Sequence, residues 1–231
     1  MEKSGYVRDM FAAIAPRYDA ANRVLTAGMD ALWRRRAVRE LRAPLGATVL
    51  DVCCGTGDLA FALARSQGEL RIVAVDFCEP MLDAARKRSQ RERAGDRVTF
   101  VLADALALPY PDASFEGATM GFSMRNVIDI AGTLREIRRV LRPGARFVNL
   151  DVTKVRSRFI RPFFALYFYG IVPFVGGLVG GSKAAYRYLP SSLTNYPDAE
   201  GVAERFSAAG FGDVRTVLLG FGAIAIHVGT A

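Results

Sequence analysis

The chain has 231 residues, 51% of them apolar, which suits one α/β domain with a sizeable core. Its net charge of +8 raises nucleic acid or an anionic membrane as partners, but the basic residues are scattered. With neither an aromatic RNP-type strand nor a helix-turn-helix signal beside them, a nucleic-acid partner is excluded. Cys53, Cys54 and Cys78 are odd in number and lack C-x-x-C spacing, which excludes a disulfide framework and a zinc site and fits a reducing cytosol. Met1-Glu2-Lys3-Ser4-Gly5-Tyr6 opens without an apolar h-region, so no secretory signal is expected, and no metal site is.

Residues 1–46 carry helical periodicity, with Val7, Met10, Phe11 and Ile14 on one face, and predict a lid before the sheet. Residues 47–153 alternate in the manner of a doubly wound parallel sheet. Strands begin at Thr48, Arg71, Val98, Phe115 and Arg146, helices at Asp58, Glu79 and Ile130, and Pro143-Gly144 turns the chain into the fifth strand. Residues 154–197 form an insertion. Its stretch from Pro162 to Gly181 carries no charge and meets the length test for a membrane span, yet Pro173 and five glycines argue for a broken helix. An apolar wall, or a segment dipping into a membrane interface, is expected instead; Lys154, Arg156, Arg158, Arg161 and Lys183 on its flanks suit anionic headgroups. Residues 198–231 read as a helix from Ala199 to Ala209 stopped by Gly210, then strands Val214 to Leu219 and Ala223 to Val228.

The most informative stretch is Val49 to Ala60, where a β-branched run breaks at Cys53-Cys54-Gly55-Thr56-Gly57 and resumes as a helix at Asp58. Gly55 and Gly57 permit backbone conformations and a close ligand approach that a Cβ forbids. Asp76 closes the second strand at the distance where dinucleotide folds bind ribose hydroxyls, and this suits NAD or S-adenosylmethionine. The turn fails the G-x-G-x-x-G pattern, since Cys53 stands at the first glycine, and this lowers the NAD reading.

The order of motifs downstream favours the methyl donor. Phe77 follows Asp76, Met81 opens the next helix, Asp104-Ala105 ends the third strand and Gly121 the fourth. Together these resemble class I S-adenosylmethionine-dependent methyltransferases, and the resemblance implies that Asp104 and Ala105 flank the adenine. It narrows to the C-methyltransferases of ubiquinone and menaquinone biosynthesis. Phe11-x-x-Ile14-Ala15-x-x-Tyr18-Asp19-x-x-Asn22 with Gly28 and Trp33-Arg34 is similar to that family's opening signature. Gly121 to Val127 with Arg139 to Gly144 looks like its central block, and Tyr186-Arg187-Tyr188-Leu189 with His227-Val228-Gly229 looks like its C-terminal blocks. The chain differs in having Cys53-Cys54 for paired glycines, Asp30 for histidine, Ser123-Met124 for Gly-Leu, and Leu150-Asp151-Val152-Thr153 for Leu-Glu-Phe-Ser.

The resemblance implies a Rossmann-like, seven-stranded α/β methyltransferase sheet with a helical N-terminal lid and an apolar insertion after the fifth strand. The implied reaction is C-methylation of a prenylated quinol by S-adenosylmethionine, with demethylmenaquinol the first substrate and a polyprenyl benzoquinol the second. Another apolar phenol, or a non-catalytic scaffold at the membrane surface, would account for the same features. Cofactor contacts are expected from Asp51, Gly55, Thr56, Gly57, Asp76, Phe77, Met81, Asp104, Ala105 and Gly121. Such chemistry needs a group favouring phenolate, and Arg125 after the fourth strand is the candidate, a structural salt bridge being its alternative reading. Asp151 at the end of the fifth strand is the alternative base, and Tyr186 could bond a quinol oxygen. His227, the single histidine, is expected to be packed in its strand rather than to act as base. The expected location is the cytoplasm, in reversible contact with the inner face of the membrane, and a homo-oligomer is left open.

Overall fold

The computed structural model describes residues 3–66 and 69–231. Among them, seven strands form one sheet: β1 (Thr48–Val52), β2 (Arg71–Asp76), β3 (Val98–Leu102), β4 (Phe115–Gly121), β5 (Leu141–Val152), β6 (Gly212–Leu219) and β7 (Ile224–Thr230). Their order is β3-β2-β1-β4-β5-β7-β6, with β7 antiparallel to both neighbours and the other pairings parallel. The chain runs outward from β1 to β3 and then returns to the other side of β1 as β4. That reversal opens a crevice at the carboxyl ends of β1 and β4, where ligands of open α/β sheets bind.

Alternation along the strands divides the core in two. Val49, Ile72, Ala74, Val148 and Leu150 face α3 (Met29–Leu41) and α4 (Asp58–Ser66), whereas Leu50, Val75, Met120 and Phe147 face α6 (Ile130–Val140) and α10 (Ala199–Ala208). Both faces of the parallel strands are thus covered, which is why they read as continuous apolar runs. On the second face Phe147 and Phe206 stack with ring centroids 5.2 Å apart.

Three expectations need correcting. Of the N-terminal helices α1 (Lys3–Ile14), α2 (Tyr18–Leu25) and α3, the last does not stand before the sheet as a lid would: α3 buries Ala37, Val38 and Leu41 on the sheet and belongs to the core layer. The fifth strand begins at Leu141, not Arg146, and absorbs Pro143-Gly144 as an irregularity in its pairing with β4, Gly144 taking φ +81°. The uncharged stretch is not broken. α7 (Arg161–Ala165), a π-helical turn at Leu166–Ile171 and α8 (Val172–Gly180) form one continuous helical run, long and apolar enough to cross a membrane. The wide π turn just upstream accommodates Pro173 near the start of α8, and helix continues through the glycines. Gly176 and Gly180 are used for packing: a Cβ on either would lie 2.2 Å from the ring of Tyr186 on α9 (Lys183–Thr194). Phe168, Val172, Gly176 and Gly180 are buried along this run, while Phe163, Leu166, Phe174 and Leu178 face outward.

Candidate active site

The Gly-rich turn is held from below by Asp76. Its carboxylate accepts the backbone N–H of Gly55 at 2.8 Å and that of Cys78 at 2.9 Å, so Asp76 has protein partners before any ribose is considered. Burial pushes this carboxyl up to about 6. Cys53 adopts φ +54° despite its Cβ, and Gly55 follows at φ +55°. Gly57 has a packing reason for lacking a side chain, because a Cβ there would meet Phe61 at 2.8 Å.

Asp51, Gly55, Thr56, Asp76, Phe77, Met81 of α5 (Glu79–Ser89), Asp104, Ala105 and Gly121 line one cleft. Nine of the ten expected cofactor residues are therefore brought together; Gly57 sits behind the wall. Asp51 is fully buried, and its neighbour in register, Thr119, donates to Oδ1 at 2.7 Å. Its Oδ2 has no partner, and burial pushes the carboxyl up to about 7. Thr56, also buried, donates to Asp19 of α2 at 2.5 Å. Asn126 leaves a buried Oδ1 unpartnered on the same cleft.

A second, apolar cavity adjoins the first and shares Phe11, Tyr18 and Arg34 with it. Its walls include Leu25, Phe164, Tyr167, Phe168, Val172 and Leu189, drawn from α2 and the inserted helices. Arg125 lines it, with its guanidinium Nη1 bonded to buried Asp151 and, at 2.8 Å, to the carbonyl of Phe122; Nε is buried without a partner. The Asp151 carboxylate also accepts the N–H groups of Arg125 at 3.2 Å and Val152 at 2.8 Å. Burial pushes Asp151 upward despite the adjacent guanidinium.

Tyr186 is in the wall, but its ring lies on the glycine face of α8 and its hydroxyl has no partner, which suits packing better than a bond to substrate. His227 is buried inside the sheet, since β7 lies between β5 and β6. Its Nε2 is 2.8 Å from the carbonyl of Ala199, and burial lowers its pKa to about 4. Tyr18, Arg34 and Asn126 were not singled out by residue-level chemistry. All three fall inside the motifs that carry the resemblance, and their cavity positions require the N-terminal helices and the sheet edge together.

Comparison with known proteins agrees with this geometry. The model of the ubiE/COQ5 methyltransferase family matches residues 1–231. The chain belongs to that family. A demethylmenaquinone methyltransferase of Thermus thermophilus is 44% identical over 95% of this chain and 99% of its own length. A ubiquinone/menaquinone biosynthesis C-methyltransferase UbiE of Geobacter sulfurreducens is 40% identical over 99% of this chain and 89% of its own. Among solved structures, a SAM-dependent methyltransferase from Thermotoga maritima aligns with TM-score 0.66 at 21% identity, covering 96% of this chain and 98% of that one. One from Aquifex aeolicus aligns with TM-score 0.62 at 19% identity, covering 86% and 89%.

This UbiE-family chain is thus a methyltransferase, and its fold is that of the SAM-dependent methyltransferases. The residues present fit S-adenosylmethionine as a ligand. The cleft offers a carboxylate at the end of β2, backbone at the Gly-rich turn and the unpartnered acceptors of Asp51 and Asn126. Buried acceptors without partners are costly, and a ligand carrying ammonium and hydroxyl donors relieves that cost.

Proposed function

We propose that the chain methylates a ring carbon of demethylmenaquinol, completing menaquinol. The observation that carries this reading is the apolar cavity lined by the inserted helices, which adjoins the cofactor cleft and has Arg125 in its wall. An isoprenoid tail needs a long apolar wall, and a quinol ring needs one polar group near its hydroxyl. Both occur in one cavity.

Bound S-adenosylmethionine supplies an electrophilic methyl. What the chain contributes is position and electrostatics. Arg125 cannot accept a proton, being permanently charged, but its charge in a dry wall lowers the pKa of a neighbouring phenol and thereby activates the ring carbon. Asp151 is already bonded to Arg125 and to two backbone N–H groups, so its proposed role is to aim the guanidinium rather than to serve as base.

The outward face of the inserted helices supports reversible contact with a membrane surface, where a prenylated substrate resides. Phe163, Leu166, Phe174 and Leu178 are between 62% and 75% exposed there.

The test is methyl transfer by purified protein from methyl-labelled S-adenosylmethionine to demethylmenaquinol and, separately, to the corresponding polyprenyl benzoquinol. Label on a ring carbon of the naphthoquinol, with the larger kcat/KM, is the expected result. A larger kcat/KM for the benzoquinol would move the substrate to the ubiquinone branch, and label on oxygen would overturn C-methylation.

A further inference from the structure

Arg34 stands where the two cavities meet and lines both of them. It projects from α3, whose Ala37, Val38 and Leu41 anchor that helix on the sheet, so its base is rigid. The residue is 8% exposed. Nη2 donates to Asp58 Oδ2 at 3.0 Å, and the guanidinium lies 5.1 Å from the centroid of the Phe122 ring. Nη1 makes an ion pair with Asp30 Oδ2 at 3.5 Å but has no hydrogen-bond partner. Asp58 cannot neutralise Arg34 fully, because its other oxygen accepts Arg88 at 2.6 Å.

Asp51 Oδ2 and Asn126 Oδ1 are buried acceptors on the same cleft without a hydrogen-bond partner of their own, and of the two only Asp51 carries a carboxylate. The Asp104-Ala105 and Asp76 positions mark the opposite, nucleoside end by their place at the tips of β3 and β2. A guanidinium nitrogen and a carboxylate oxygen that both lack a hydrogen bond are the complement of a zwitterionic amino acid.

We propose that Arg34 binds the carboxylate of the aminoacyl end of S-adenosylmethionine, opposite Asp51, which takes the ammonium. The carboxylate completes the donor set of Arg34, and the planar fork gives the contact direction as well as strength. Asp30 and Asp58 hold the guanidinium in place, and Asp58 connects it through Arg88 to Asp19 on α2. This rests on S-adenosylmethionine being the donor and is independent of which quinol is methylated.

The test is calorimetric, with no quinol present. S-adenosylhomocysteine and 5′-methylthioadenosine share the nucleoside and thioether, but only the first has the amino-acid group. Wild type should prefer S-adenosylhomocysteine clearly. Arg34→Met should weaken S-adenosylhomocysteine on the order of tenfold or more and change 5′-methylthioadenosine by less than about threefold. Arg34→Lys keeps a cation for Asp58 and the fold, and should show a smaller loss, again confined to S-adenosylhomocysteine. Equal losses for both ligands in Arg34→Lys would mean that Arg34 only shapes the cleft, and would overturn the proposal. So would unchanged S-adenosylhomocysteine affinity in both variants, or a wild type that does not distinguish the two ligands.

Discussion

Arg125 and Asp151 are one buried ion pair: the carboxylate takes both the guanidinium Nη1 and, at 3.2 Å, the backbone N–H of Arg125 itself. Two residues that sequence reasoning offered as separate candidates for one reaction are therefore coupled, and neither can be changed without altering the other's surroundings.

That coupling sets the first prediction. Arg125→Met strands a buried carboxylate and should cost about 3 to 5 kcal/mol of stability, whereas Arg125→Met with Asp151→Asn should recover much of it. Turnover should stay low in both, at least tenfold down, with S-adenosylmethionine affinity little changed. The pH optimum should move upward, because the quinol then ionises nearer its solution pKa. Thermal melts with pH–rate profiles decide the matter: near-normal turnover in the double variant, with an unshifted profile, would make the pair purely structural.

Cofactor binding should depend on pH through Asp51 and Asp76, whose carboxyls burial raises from 3.8 to about 7 and about 6. A carboxyl raised on folding contributes stability that is fully present below its unfolded value and lost as pH climbs through its folded value. The free protein should therefore lose stability between about pH 4 and pH 7. An ammonium beside Asp51 reverses the preference, so binding should release protons and tighten as pH rises across that upper range. Calorimetry in buffers of differing ionisation enthalpy measures the release, and Asp51→Asn should abolish the part due to Asp51. Wild-type binding without proton release would contradict the raised carboxyls.

Much of this arrangement was legible in the sequence. The β-branched run ending at Val52, the non-matching glycine turn and the carboxylates at Asp51 and Asp76 each imply a strand end or a ligand cleft on local grounds. What the sequence does not carry is contact across distance. Nothing in Arg34 marks it as the junction of two cavities, because α3, the β1 turn and Phe122 meet only in the fold. Pro173 and the glycines misled for a related reason. Local propensity opposes a helix there, yet a π turn relieves the proline, and the ring of Tyr186 needs the bare backbone of Gly176 and Gly180.

Tyr186 gives a test of that packing. Tyr186→Phe removes a hydroxyl that has no partner, so turnover and melting temperature should change little. Gly176→Ala should destabilise by about 1 to 3 kcal/mol, since a Cβ must displace the Tyr186 ring. A large loss of turnover in Tyr186→Phe, measured with stability unchanged, would return that hydroxyl to the reaction.

Membrane contact is checked by flotation with anionic vesicles. The wild type should be soluble without detergent and should bind reversibly, less at high salt. Phe163→Ser with Phe174→Ser, both on the outward face, should reduce binding without lowering turnover on a short-tailed quinol. Binding that survives salt and carbonate washing would instead indicate an integral span.

Complementation identifies the methyl acceptor. The chain is expressed in hosts blocked at the C-methylation step of either quinone pathway, and lipid extracts are analysed by mass. Demethylmenaquinone should disappear and menaquinone, heavier by one methylene unit, should take its place. Accumulation of demethylmenaquinone undiminished, with the protein present and folded, would contradict demethylmenaquinol as the acceptor.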